Sequence, residues 1–332
     1  MSMSAALIDS FGRRHNNLRI SVTDRCNLRC TYCMPESVQF LPRDLLLSFE
    51  EIARFVRVAA GLGIDKVRLT GGEPLVRKDL HKLIHLLVAV PSIRDVGLTT
   101  NGILLAEQAD DLFSAGLRRI NISLDTLDAD KFSVLTRRNR FQDVLAGIDA
   151  AQRVGFDPIK INAVAIAGVS EQDVVSLARF CRDRTLELRF IEFMPLEADN
   201  IWERSKVLSA STILALLNSA GLAVVPHERS DVAAPAQEYE YADGRGRIGI
   251  IASVTRPFCM QCNRIRLTAE GKLRNCLFAL DELDVKTPMR AGATDAELAD
   301  LIRQCVAAKW SGHQINTPSF VKPSRTMHAI GG

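Results

Sequence analysis

Residues 18–33 read LRISVTDRCNLRCTYC, and this stretch decides how the rest of the chain is interpreted. Its first half alternates apolar and polar residues as a strand does. Its second half places Cys26, Cys30 and Cys33 directly after that strand ends. In parallel α/β folds ligands bind at the carboxyl ends of strands, so the pattern predicts a βα unit that delivers its chemistry at the strand end. Five further runs repeat the design: residues 66–70 (KVRLT), 95–100 (DVGLTT), 119–124 (RINISL), 159–166 (IKINAVAI) and 186–194 (LELRFIEFM). Amphipathic helical patterns separate them, such as residues 48–63, where Ser48 and Glu51 have capping-box spacing.

Each run ends in residues unusual for a strand end: Asp24-Arg25-Cys26, Gly71-Gly72-Glu73-Pro74, Asn101-Gly102, Asp125 and Met194-Pro195. These ends should converge on one site. Six units are too few to close an eight-stranded barrel. The expectation is an α/β fold in which residues 1–195 form an open, partial barrel of six βα units. Residues 196–332 follow as an α+β extension that closes the barrel mouth, with a hairpin around Asp243-Gly244.

The chain has 332 residues, 47% of them hydrophobic, enough to bury a sizeable core. Its 42 basic and 39 acidic residues are interspersed, without the like-charge run of a nucleic-acid arm. No segment reaches the length of a membrane span and the N-terminus lacks a secretory h-region, so a cytoplasmic protein with no nucleic-acid or membrane partner is expected. In that setting clustered cysteines favour metal chemistry over disulfides, and six of the eight cysteines fall into two tight groups.

Cys26, Cys30 and Cys33 supply three thiolates, one short of a full set for a [4Fe–4S] cluster. One iron is left open, which turns such a centre from an electron wire into a catalyst. The spacing, with Tyr32 before the third cysteine, resembles that of radical S-adenosylmethionine enzymes. The resemblance implies a partial six-unit barrel, an open iron that chelates S-adenosylmethionine, and reductive cleavage to a 5′-deoxyadenosyl radical. Tyr32, Gly72, Ser123 and Met194 match positions that contact S-adenosylmethionine in that family.

The second group is Cys259, Cys262 and Cys276. A zinc knuckle completed by His313 or His328 is one reading of it. Between its cysteines the strand-like run from Asn263 to Thr268 throws Arg264 and Arg266 to one face, a clamp suited to a triphosphate. This stretch, together with the first group and the terminal Gly331-Gly332, is similar to the GTP 3′,8-cyclases of molybdenum cofactor biosynthesis, from about Arg13 to the C-terminus.

That resemblance implies a second [4Fe–4S] cluster on Cys259, Cys262 and Cys276 whose free iron binds guanine. GTP contacts would come from Arg19, Arg68, Thr99, Lys160, Arg264, Ile265 and Arg266. Hydrogen abstraction from C3′ of the ribose, followed by attack on C8, would give 3′,8-cyclo-7,8-dihydro-GTP. The Gly331-Gly332 tail would enter the active site and be needed for activity. A homodimer, an electron donor and a downstream pterin-synthesis enzyme are the implied partners. A peptide-modifying radical maturase and a non-catalytic iron–sulfur or zinc protein are the competing readings. Arg19, Arg68 and Lys160 also stand out without the resemblance, as charges inside apolar strands that need a counterion. His81 and His85 lack a third ligand, and Cys181 and Cys305 read as buried hydrophobes on helices.

Overall fold

A computed structural model describes residues 6–228 and 231–331. All six expected strands form, shifted by a residue or two at their ends: β1 (Asn17–Ser21), β2 (Lys66–Thr70), β3 (Asp95–Thr100), β4 (Arg119–Ser123), β5 (Ile159–Ala165) and β6 (Glu187–Glu192). They are parallel neighbours in chain order. Helices α1 (Phe49–Gly61), α2 (Leu80–Val88), α3 (Leu105–Ser114), α4 (Ala129–Thr136), α5 (Phe141–Val154) and α6 (Glu171–Asp183) connect them. The capping box at α1 is complete: Ser48 Oγ accepts from the Glu51 amide at 3.1 Å, and the Glu51 carboxylate accepts from the Ser48 amide at 2.7 Å.

Period-two alternation sorts each strand into two faces. Leu18, Ile20, Leu69, Leu98, Ile120, Ile122, Ile161 and Leu188 are fully buried in a core shared with Phe55, Leu83, Leu112, Ile148 and Leu177 of the helices. The opposite face carries Arg19, Arg68, Thr99, Asn121, Lys160, Asn162 and Arg189. It points into the barrel. Burying each large aliphatic side chain stabilises the fold by about 1.5–3 kcal/mol, so the outer face holds the strands rigid while the inner face stays polar.

The rest of the chain adds α7 (Ala210–Ser219), β7 (Val224–Pro226), β8 (Gln237–Tyr241), β9 (Arg247–Ile251), β10 (Arg264–Leu267), β11 (Lys272–Arg274), β12 (Leu283–Asp284), α8 (Lys286–Arg290), α9 (Asp295–Ala307) and α10 (Met327–Ile330). This extension does more than cover a mouth. β10 lies parallel beside β1 and β9 parallel beside β6, so the arc gains a parallel strand at each edge. Among the described residues the sheet runs β12-β11-β10-β1-β2-β3-β4-β5-β6-β9-β8-β7, and its two ends do not meet. The reason is the edges of a six-strand arc: β1 and β6 would otherwise present unpaired backbone groups. The expected hairpin around Asp243-Gly244 is the turn between β8 and β9.

A second, smaller core of Leu196, Val254, Phe278, Ile315 and Ile330 ties the C-terminal segments together, with Met194, Cys276 and Met327 packed against it. No helix among the described residues is long and apolar enough to cross a membrane.

Candidate active site: two cysteine groups on one cavity

A cavity of about 310 Å³ opens inside the arc and is walled by both cysteine groups. Cys26, Cys30 and Cys33 line one end; Cys259, Cys262 and Cys276 line the other. Of the further residues singled out from the sequence, Tyr32, Ser123, Met194, Arg19, Thr99, Arg264 and Arg266 also line it. Gly72, Arg68, Lys160 and Ile265 do not. Ile265 points to the helix side and is fully buried, so only its backbone could serve a ligand. Arg68 reaches Asn121 at 3.3 Å, and Lys160 is ion-paired with Glu187. Gly332 lies outside the described residues.

The first cysteine loop is built on the Gly71-Gly72-Glu73-Pro74 turn. The Gly72 amide donates to the Thr23 carbonyl and the Glu73 amide to the Arg25 carbonyl, both at 2.8 Å. A Cβ on Gly71 would collide with the Thr23 carbonyl, and one on Gly72 would stand 2.6 Å from the Asp24 carbonyl. Only glycine lets the two loops lie this close. The buried Glu73 carboxylate accepts from Thr100 Oγ1 and the Asn101 amide at 2.6 Å and the Leu75 amide at 3.0 Å, which locks the next strand end to the same turn. Burial pushes that carboxyl up to about 7.

The three thiols are free of disulfides. Burial first, then Glu73, raises Cys26 to about 11; burial and the charge of Cys26 raise Cys33 to about 12, and Cys30 is also pushed well up. Such thiols stay protonated until a polycationic core binds their sulfurs and displaces the protons to solvent, and their acidic, partly apolar setting suits one. Tyr32 Oη donates to Asp125 at 2.5 Å, and Asp125 also accepts from the Val164 amide at 2.8 Å. Asp125, noted in the sequence only as a strand-end residue, thereby orients the aromatic ring beside the third cysteine.

The second group sits in the opposite field. Burial alone would raise the Cys262 thiol, yet Arg264 and Lys309 pull it down to about 6. Arg264 donates to Cys262 Sγ from Nε at 3.4 Å and Nη2 at 3.3 Å. Two residues that sequence reasoning missed hold this group. Arg13 donates to the carbonyls of Cys259 and Ser311, both at 2.8 Å, and Lys309 donates to that of Arg264, also at 2.8 Å. Neither carries a local signal: an arginine before β1 and a lysine after a helix both read as surface charges.

The two histidines proposed for zinc lie beside different cysteine groups. The His328 amide donates to Cys33 of the first group and the His313 amide to Cys259 of the second, while the His313 ring lies tilted 5.1 Å from Phe278. Among the described residues no three His, Cys, Asp or Glu side chains are gathered as a single metal ion needs.

Between the triads the inner face is cationic. Arg19 is registered opposite Arg266 on β10 and opposite Arg68 on β2. Among the described residues none of Arg19, Arg68, Arg264 and Arg266 forms an ion pair with a carboxylate. Burial and mutual repulsion lower Arg266 to about 9, burial and Arg119 lower Arg68 to about 10, and Arg19 falls well below the ordinary arginine value. Gly97 makes the space, since a Cβ there would stand 2.6 Å from the Arg68 guanidinium carbon. The C-terminal tail threads into this region: the Gly331 carbonyl accepts from Arg266, and Gly331 packs against Ser21 and Thr70.

A parallel arc with an open three-cysteine loop after β1 is the layout of radical S-adenosylmethionine enzymes. Residues 20–181 match the Radical SAM superfamily model, and residues 186–315 match the model described as Molybdenum Cofactor Synthesis C. The chain belongs to the GTP 3′,8-cyclase family. It is 51% identical to the GTP 3′,8-cyclase of Rhodopirellula baltica over 100% of this chain and 94% of that protein. It is 44% identical to that of Streptomyces coelicolor over 98% of this chain and 96% of that one. In fold it resembles Streptococcus suis SuiB, solved with S-adenosylmethionine, at a TM-score of 0.61 and 16% identity, over 93% of this chain and 76% of that one. A [4Fe–4S] cluster and S-adenosylmethionine are the cofactors of the superfamily.

Proposed function

We propose that this chain converts GTP to 3′,8-cyclo-7,8-dihydro-GTP, with a [4Fe–4S] cluster on Cys26, Cys30 and Cys33 and a second on Cys259, Cys262 and Cys276. The observation that carries this reading is the row of arginines without a carboxylate partner among the described residues, on one cavity with two cysteine triads. A buried cluster of like charges is unfavourable unless an anion of matching charge fills it, and a triphosphate does.

Bound in the first triad, the cluster and S-adenosylmethionine supply the radical that begins the ring closure. The chain's own residues position and shield. Tyr32, oriented by Asp125, with Ser123 and Met194 forms the S-adenosylmethionine side of the cavity. Gly72 holds the cysteine loop at the distance its carbonyl contacts fix. Arg19, Arg264 and Arg266 hold the phosphates and Arg68 adds to the cationic field; Lys160 would join them on exchanging Glu187 for the nucleotide. Thr99 and the Ile265 backbone complete the nucleotide side. Arg266 also holds the Gly331 carbonyl, which brings the tail beside the proposed phosphate site. Closing the cavity matters because a carbon radical takes hydrogen from weak C–H and S–H donors within reach.

Residues 1–195 then act as the radical-generating part and 196–332 as the substrate-binding part. An electron donor, a homodimeric assembly and an enzyme that carries the cyclised nucleotide to a pterin precursor complete the reading. The experiment is anaerobic reconstitution followed by incubation with reductant and S-adenosylmethionine, with and without GTP. The reading requires two clusters per chain and 5′-deoxyadenosine formed in step with the cyclised nucleotide. One cluster plus zinc, or no GTP-dependent product, would overturn it.

A further inference from the structure

Lys309 follows α9, and its side chain turns inward: the residue is 5% exposed. Its ammonium donates to the carbonyl of Arg264 at 2.8 Å and to that of Asn275. Arg264 opens β10 two residues after Cys262, and Asn275 immediately precedes Cys276. One ammonium therefore bridges the two segments that carry these cysteines. The third segment is tied to the same corner by Arg13, which donates to the carbonyls of Cys259, Ser311 and Trp310 while Asp9 accepts from Arg13 Nε at 2.6 Å.

The two cations differ in one respect. Arg13 has its carboxylate in Asp9, whereas Lys309 forms no ion pair among the described residues. Carbonyl dipoles satisfy the hydrogen bonds of an ammonium but leave its full charge in place, and a buried unpaired charge is strongly unfavourable. The groups placed to balance it are the thiolates of Cys262 and Cys276, since Lys309 lines the same cavity. A fixed cation beside a tri-thiolate cluster stabilises the thiolates and favours the form that has gained an electron.

We infer that Lys309 is a positioning residue of the second cysteine group, bridging the segments of Cys262 and Cys276 and supplying the countercharge that sets the reduction potential of the cluster held there. The inference rests on the second-cluster reading above.

The test uses the full chain with Cys26→Ala, Cys30→Ala and Cys33→Ala, so that only the second group can hold a cluster. Iron and sulfide are counted, and the midpoint potential is followed by electron paramagnetic resonance in a redox titration. Iron absent from this parent, with its fold intact, would refute the second cluster itself. With iron present, Lys309→Met should shift the potential to a more negative value, and Lys309→Arg should restore it towards the parent. An unchanged potential in Lys309→Met at full iron content would overturn the inference. If Lys309→Met holds no iron, Lys309→Gln, neutral but still a donor, replaces it with the same two outcomes. Loss of iron in both neutral variants with retention in Lys309→Arg also supports the countercharge, whereas loss in all three would assign Lys309 a purely steric role and overturn it.

Discussion

Arg19 and Arg266 stand directly opposite each other on the parallel strands β1 and β10, and neither has a carboxylate partner among the described residues. Like charges opposed across a ladder destabilise a sheet. The pair is therefore a strain that a bound polyanion relieves. Replacing Arg19 with Met should leave the nucleotide-free protein as stable as the parent or more so, while weakening GTP binding by roughly 10- to 100-fold, the cost of about 1.5–3 kcal/mol for a charge-assisted contact. Thermal melts with and without GTP check both halves. A large drop in melting temperature without GTP would mean that the arginine serves the fold.

The glycine turn gives a second expectation. Gly72→Ala places a methyl 2.6 Å from the Asp24 carbonyl, where backbone rather than a flexible side chain must move. The change should cost about 1–3 kcal/mol and displace the loop carrying Cys26. Iron content should fall by one cluster's worth, with circular dichroism unchanged. Full iron retention would show that the turn does not set the loop.

The strands and the first cysteine group were legible in the sequence because both signals are local: alternation over five to seven residues, and three thiols within one loop. Placement of the extension was not. Residues such as Ile248 and Ile265 reveal burial but not that their strands join β6 and β1, since parallel pairing across such separations leaves no local mark. Lys309 and Arg13 were missed for the same reason. A single cation acquires meaning only from the carbonyls that fold around it.

The tail offers a third expectation. Gly331 has a φ of +70°, and a Cβ would lie 2.8 Å from Thr70 Cγ2 and closer still to Ser21 Oγ. Gly331→Val should expel the tail and lower cyclisation by roughly 100-fold, the scale of a small misplacement in a reacting site. Iron content and cleavage of S-adenosylmethionine should persist. Parent-like turnover would show that the tail is a bystander.

A fourth concerns pH. His15 is fully buried against Asp9 at 2.9 Å and is held down to about 4, by burial first and then by the charge of Lys309, from an ordinary value of 6.5. Between those values the unfolded chain binds more protons than the folded one. Stability, full above pH 6.5, should therefore fall by about 2 kcal/mol between pH 7 and pH 5 on this group's account. Urea titrations of the parent and His15→Gln at equal iron content measure it: the variant should lose that part of the slope, and an identical slope would exclude His15 as its source.

The central claim is that the radical generated at Cys26, Cys30 and Cys33 acts on a nucleotide held by Arg19, Arg264 and Arg266. The most direct measurement is mass spectrometry of 5′-deoxyadenosine formed anaerobically, with reductant and S-adenosylmethionine, from GTP deuterated at C3′. The account predicts one deuterium in the 5′-deoxyadenosine and a cyclised nucleotide formed alongside it. Unlabelled 5′-deoxyadenosine from a preparation carrying both clusters would contradict it.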